Sequence, residues 1–214
     1  MPVMPAMDEA AVEALFTRAD GAYLFARWGR PLAPVAFGVE DSGLPVLKGA
    51  FEATARLAGI GTAETDPELG ANLMAFFVRG WDELAEVPNL DRLLPDLAGL
   101  LPRLERAQAN QYRAFRFDEA GAIRAAFVLL RMDEHLAAVP AETLALSQAV
   151  QTILLWSDAA FHDRSPLLAV PGRGAVLRPE IGAVIRAAYD PVLPAHARDP
   201  SHALRLAARI GRGP

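Results

Sequence analysis

Cysteine is absent from the 214-residue chain, which excludes disulfide staples, thiolate metal sites and a cysteine nucleophile. Lysine is nearly absent as well. Lys48 is the one lysine among 21 basic residues, a bias we read as codon usage rather than function. No hydrophobic run approaches the ~20 residues of a membrane span. The first stretch, MPVMPAMDEAAVEALF, has acidic residues where a signal peptide needs an apolar run. Positive charge is also in deficit, with a formal net charge of -5 and a pI of about 5.4. That balance argues against nucleic acid or an anionic membrane as the main partner, and a cytoplasmic protein is the simplest expectation.

What is present is ordinary for a folded chain: 52% hydrophobic and 22% charged residues. The length suits one domain over 1–214. Asp8 to Asp20 reads as a short helix, and Tyr23 to Val39 as one or two broken strands with Arg27, Trp28 and Arg30 exposed. Asp41 or Ser42 is expected to cap a helix to about Ala58, closed by Gly59 and Gly61. Leu73 to Val78, LMAFFV, has the continuous apolar character of a strand covered on both faces. Trp81 to Ala109 reads as two or three short helices forming an insertion over about 80–109. Gln111 to Phe117 and Ala122 to Arg131 flank a turn at Asp118 to Gly121 and predict a hairpin. Trp156 to Val176 reads as a long loop, and two C-terminal helices follow over about 178–211, opened by Pro179 and by Asp199 with Pro200.

The stretch Ala141 to Asp158, AETLALSQAVQTILLWSD, predicts the clearest amphipathic helix. Leu146, Ala149, Val150, Ile153 and Leu154 recur at helical spacing and face the core. Ser147, Gln148, Gln151 and Thr152 form a second face that is polar without charge. A solvated face normally carries Lys, Arg, Asp or Glu, so this stripe points to a groove or a hydrogen-bonded interior.

Three stretches carry a resemblance: GLPVLKGAFEATARLAGIGTAETDPELGANLMAFFV, SQAVQTILLWSDAAFHDRSPL and IGAVIRAAYDPVLPAHARDPSHALRLAARI. With the Ala71-Asn72-Leu73 step and the Tyr189-Asp190-Pro191 turn, they resemble a bacterial family of uncharacterised, zincin-like proteins, over somewhat under half the chain. The order strand, helix, strand, hairpin, central helix is likewise similar to a zincin metalloprotease domain. The resemblance implies an α+β fold with a mixed, mainly antiparallel sheet of four or five strands, helices on one side, and a central helix at 141–158. It also implies a cleft beside that helix.

Zincins carry His-Glu-x-x-His on the central helix, two histidines on one face for zinc and a glutamate as base. Here the corresponding residues are Ser147-Gln148-Ala149-Val150-Gln151, which supply neither ligands nor a carboxylate. Zinc-dependent hydrolysis is therefore not expected, and no catalytic residue, metal or cofactor is assigned. The expected cleft comprises Ser147, Gln148, Gln151, Trp156, Asp158 and His162, where the resemblance puts His162 near a zincin's third ligand.

Other candidates are weaker. The four histidines, His135, His162, His196 and His202, include no pair at i and i+4. Pro171-Gly172-Arg173-Gly174 lacks a Walker lysine and reads as a loop. Glu64, Asp66 and Glu68 are candidates for a cation but are expected to be solvated. Arg205, Arg209 and Arg212 read as a solvated or ion-paired face, and Phe76, Phe77, Phe115, Phe117 and Phe127 as core. The leading expectation is a non-catalytic protein that binds a peptide or protein partner in a degenerate cleft. A hydrolase using the same groove and a structural or oligomeric protein are the alternatives.

Overall fold

The structure is a computed structural model and describes residues 7–172 and 174–210. Asp8 accepts the N–H of Ala11 at 2.8 Å and so caps α1 (Glu9–Ala14). This helix is shorter than expected because the chain turns away to bury Phe16, which stacks on Trp156 at 5.4 Å between ring centroids. Strands β1 (Phe25–Ala26) and β2 (Pro34–Phe37) follow, then α2 (Leu44–Ala58). Neither Asp41 nor Ser42 caps α2: its N-cap is Gly43, and Pro45 in the first turn presets the helical φ. Gly59, at φ 72, ends it in the left-handed conformation that a side chain would strain.

After β3 (Leu73–Val78) come a 3-10 turn (Trp81–Glu86), α3 (Leu90–Leu93) and α4 (Leu97–Arg106). The hairpin is β4 (Gln111–Phe117) with β5 (Ile123–Arg131), and it leads into α5 (Glu134–Ala137) and α6 (Ala141–Thr152). The segment expected as a long loop contains a second hairpin, β6 (Leu167–Val170) with β7 (Gly174–Leu177). Helix α7 (Pro179–Ala188), strand β8 (His196–Ala197) and α8 (Ser201–Ile210) close the described chain. No helix among the described residues is long and apolar enough to cross a membrane.

The fold class is α+β with a four-stranded sheet in the order β2-β3-β5-β4. The sheet is mixed, but the expectation of a mainly antiparallel one is corrected: β2 pairs with β3 and β3 with β5 in parallel, and β4 alone runs antiparallel, against β5. The connections between the parallel strands run through α2 and through the helices after β3, and crossovers of that length are what parallel pairing requires.

Helices cover both faces of this sheet rather than one. Val128 and Leu130 of β5 pack with Leu144 of α6, while Phe76 and Val78 of β3 and Phe127 and Leu129 of β5 pack with Leu84, Leu90, Leu97, Leu100 and Leu104 from the 3-10 turn, α3 and α4. This accounts for the unbroken LMAFFV run, since β3 needs an apolar side chain on each face. Phe117 is the exception among the expected core aromatics, 43% exposed at the hairpin end.

Helix α6 stops at Thr152, six residues before the expected end at Asp158, although no glycine or proline intervenes. Its terminal carbonyls are taken by aromatic donors from elsewhere. The indole of Trp156 donates to Val150 O at 2.8 Å, the indole of Trp28 to Thr152 O at 2.8 Å, and the Tyr189 hydroxyl to Ile153 O at 2.7 Å. Each such bond is worth about 0.5–1.5 kcal/mol net and satisfies a carbonyl orphaned at the helix end. The chain then runs extended, with Leu155 N–H donating to Ala26 O at 2.9 Å. Trp28 is thereby buried, not exposed, and the Arg27 guanidinium donates to the carbonyls of Ala188, Asp190 and Leu193.

Candidate functional site

The early end of α6 opens a cleft of about 700 Å³ between the outer strand β4, the last turn of α6 and the extended chain after it. On β4, alternate residues face opposite ways. Tyr112 and Ala114 pack toward the α3–α4 side, and Gln111, Arg113 and Phe115 line the cleft. The opposite wall is built from Gln151, Leu155, Trp156, Ser157, Asp158 and His162, with Arg18, Asp133 and His135 at the rims.

The expected cleft residues divide accordingly. Gln151, Trp156, Asp158 and His162 are brought together around the cleft, although α6 does not extend through the last three. Ser147 and Gln148 do not line it. Ser147 Oγ accepts from Gln151 Nε2 at 2.8 Å, one turn along the outer side of the helix. Gln148 is buried behind the wall, 1% exposed, where its Oε1 accepts from Arg113 Nη2 at 2.7 Å. Thr152 is buried too, its hydroxyl returning to Gln148 O at 2.8 Å. The uncharged stripe thus reflects a hydrogen-bonded interior over one half and a groove border over the other.

Arg113 has no counterpart among the sequence-derived candidates. Its Nη2 also donates to Gln111 Oε1 at 2.7 Å, so both acceptors are neutral amides. Nε is sealed from solvent without any partner, and among the described residues Nη1 makes no protein hydrogen bond either. Burial lowers its pKa from 12.5 to about 10, which leaves a cation at neutral pH with its charge uncompensated. Its sequence signal was slight: an arginine at the centre of a strand, two residues from Gln111, on the side facing the helix.

The acids of the cleft are already engaged. Asp158 Oδ1 accepts the N–H of Ala19 at 3.3 Å and the Ser157 hydroxyl at 3.2 Å. Asp133 caps α5 through the N–H of Leu136 at 2.8 Å and takes Asn110 Nδ2 at 3.2 Å; the Leu136 bond leads the effects that hold its carboxyl below the usual range. Ser157 Oγ donates to Thr17 O at 2.6 Å and has no histidine as partner, so it lacks the base a nucleophile needs.

Elsewhere, the carboxylate trio divides: Glu64 and Glu68 are exposed, as expected of a solvated loop, and Asp66 alone turns inward. Asp66 is buried and accepts from the N–H groups of Glu68 and Leu69, from Asn72 Nδ2 and from Arg30. Burial alone would raise its pKa, but these bonds outweigh it and lower it to about 2. Arg209 pairs with Asp190, whereas Arg173 and Arg212 lie outside the described residues. No group of three or more His, Asp or Glu side chains among the described residues is arranged to hold a metal ion.

Beside the cleft, β4 is an edge strand. Asn110 O accepts the N–H of Arg131 at 2.8 Å, which fixes the phase: even-numbered residues of β4 turn their main chain to β5, and Gln111, Arg113 and Phe115 turn theirs to the open side. Arg116 Nη1, donating to Phe115 O at 3.2 Å, occupies one of those outward carbonyls. Comparison with protein-family models, with curated proteins and with solved structures finds no match to this chain, so the cleft and the strand edge beside it are what the function is argued from.

Proposed function

We propose that this chain is a non-catalytic, zincin-like protein that binds an extended peptide or protein segment in the cleft, adding it as a strand to β4. The observation that carries the reading is the open edge of β4: the outward main chain of Gln111 and Arg113, and the N–H of Phe115, run beside a cleft of about 700 Å³. In strand addition the main-chain bonds supply affinity and the side-chain pockets supply selectivity. The element order β2, α2, β3, the β4–β5 hairpin and α6 agrees with the order that the zincin resemblance implies.

The committed state of Asp158 and Ser157 favours binding over hydrolysis, because neither holds a free group against a histidine in the cleft. A purely structural role would suit a closed surface beside Gln151, and the open cleft there speaks for an occupant.

Hydrogen exchange with a bound extended heptapeptide tests the reading. Protection should rise at the amides of Gln111, Arg113 and Phe115 and leave the even-numbered amides of β4 unchanged, while the same peptide N-methylated at alternate residues should lose binding. Protection absent from all three amides would refute strand addition. One equivalent of zinc per chain, in protein purified without chelator, would refute the non-catalytic half.

A further inference from the structure

We propose that α8 is an acid-released element, held against the body of the protein by His202 and freed when that ring takes up a proton. The inference is independent of the peptide reading, since no residue of α8 lines the β4 cleft. Helix α8 packs against α1 and α7 and buries three of its residues, His202, Ala203 and Leu206. An alanine contributes little area, so the histidine and the leucine carry most of the docking. The His202 ring is 3% exposed and lies 4.2 Å from the Phe25 ring between centroids. Its Nδ1 is 2.8 Å from the Tyr23 hydroxyl, and Nε2 is sealed without a partner among the described residues. A neutral ring satisfies the Tyr23 bond in either tautomer. The imidazolium does not: both nitrogens become donors, the hydroxyl hydrogen must turn away from Nδ1, and Nε2–H is left without an acceptor in a sealed site.

Among the described residues no carboxylate is bonded to the ring. The charges that act on it are Arg205 of α8 and Arg27 beside β1, both cations, and burial opposes the proton more than either. Glu13 of α1 acts on Tyr23, and on the α7 side Asp190 is paired with Arg209. His196 of β8 stands against Gly121 of the β4–β5 hairpin instead. Burial and the two cations bring the His202 pKa from 6.5 down to about 4, whereas the ring on a released helix regains its ordinary value. The released form therefore binds the proton more tightly, and release is favoured increasingly as pH falls below 6.5. Helix α8 is the part that gives way, because moving it uncovers only three of its own side chains, while Tyr23 and Phe25 are fixed in the main core with Phe16.

Hydrogen exchange of the full chain at pH 7.5 and pH 5, corrected for the pH dependence of free-amide exchange, tests the inference. The α8 amides over 205–210 should open more readily than those of β5 at both pH values. Their opening constant should rise roughly 10- to 100-fold on acidification. His202→Gln keeps a polar partner for the Tyr23 hydroxyl and should remove that rise, with thermal unfolding as the check that the variant folds. The ring's own NMR titration, which needs no variant, should find His202 neutral at pH 5.5 wherever α8 is docked. Equal exchange of α8 and β5 at pH 5 would overturn the inference in favour of global unfolding. A rise that survives in folded His202→Gln, or a ring that charges near pH 6.5 while α8 stays fully protected, would overturn it as well.

Discussion

The two edges of the central sheet meet the same problem, a row of unpaired main-chain groups, and solve it differently. At the β2 edge, Ala33 turns toward β3, its carbonyl accepting from Asn72 and Leu73 N–H, so Pro34 and Ala36 turn outward and the proline offers no N–H. The groove beside it, about 620 Å³, is walled by Val35, Leu44, Leu47 and Phe51 together with Lys48, Glu52 and Glu64. At the β4 edge no proline intervenes, and the groove is lined by charges of both signs, Arg18 and Arg113 with Asp133 and Asp158. A proline removes an N–H that a partner strand would need, whereas β4 keeps its outward N–H groups. The difference teaches that the two edges are guarded by different means, a missing donor at β2 and an inward-pointing charge, Arg113, at β4.

Four measurements would break or sharpen that contrast. The largest effect is expected from Leu90→Ala in the helices behind the β4 side: Leu90 is 0% exposed, and its truncation should cost about 2–5 kcal/mol in denaturant unfolding. Amide exchange should then rise at β4 more than at β2; an equal rise would dissolve the distinction between the edges. Next is Gln148→Leu, which removes an acceptor from Arg113 and should cost about 1.5–3 kcal/mol. A loss below ~0.5 kcal/mol would mean that Arg113 is satisfied by solvent.

The third concerns pH. Buried His202, whose Nδ1 bonds the Tyr23 hydroxyl at 2.8 Å, has its pKa lowered from 6.5 to about 4, by burial first and then by Arg205 and Arg27. A depressed folded-state value contributes stability above the unfolded pKa and loses it as pH falls. Unfolding free energy should therefore drop by roughly 1–3 kcal/mol between pH 6.5 and 4, and His202→Gln should flatten that slope. Arg113 stays charged throughout this window, so its bonds to Gln111 and Gln148 beside β4 should persist while overall stability declines. The smallest stability effect is expected from Pro34→Val, under about 1 kcal/mol. Its signature is association: sedimentation should show self-pairing through the opened β2 edge, and an unchanged monomer would show that the proline is not what closes it.

How much could be read from the chain varies by residue. Helix α2, the unbroken apolar strand β3, the β4–β5 hairpin and the proline-opened α7 all follow local periodicity and turn chemistry. The β6–β7 hairpin was hidden because each strand has only four residues, too few for an alternation to stand out beside Pro171 and Gly172. The pairing of β1 with β8 joins Phe25 to Ala197 and leaves no local trace. Of the cleft, Gln151 was legible from the uncharged stripe on its helix, while Trp156, Asp158 and His162 lie next along the chain and His162 was expected there from the resemblance. Arg113 was not, since its neighbours Gln111 and Gln148 come from two elements.

The sequence by itself determined that α2, β3, the β4–β5 hairpin and α7 form where they do, through spacing and glycine or proline punctuation. It also determined that Ser147, Gln148 and Gln151 bring neither the imidazoles nor the carboxylate of a His-Glu-x-x-His motif, a matter of side-chain chemistry alone. Tertiary structure decided where α6 ends, because Trp28, Trp156 and Tyr189 reach its last carbonyls from separate parts of the chain. It also decided which strands run parallel and that an arginine stands uncompensated beside an open edge. Those outcomes depend on contacts between distant residues, and no local pattern encodes them.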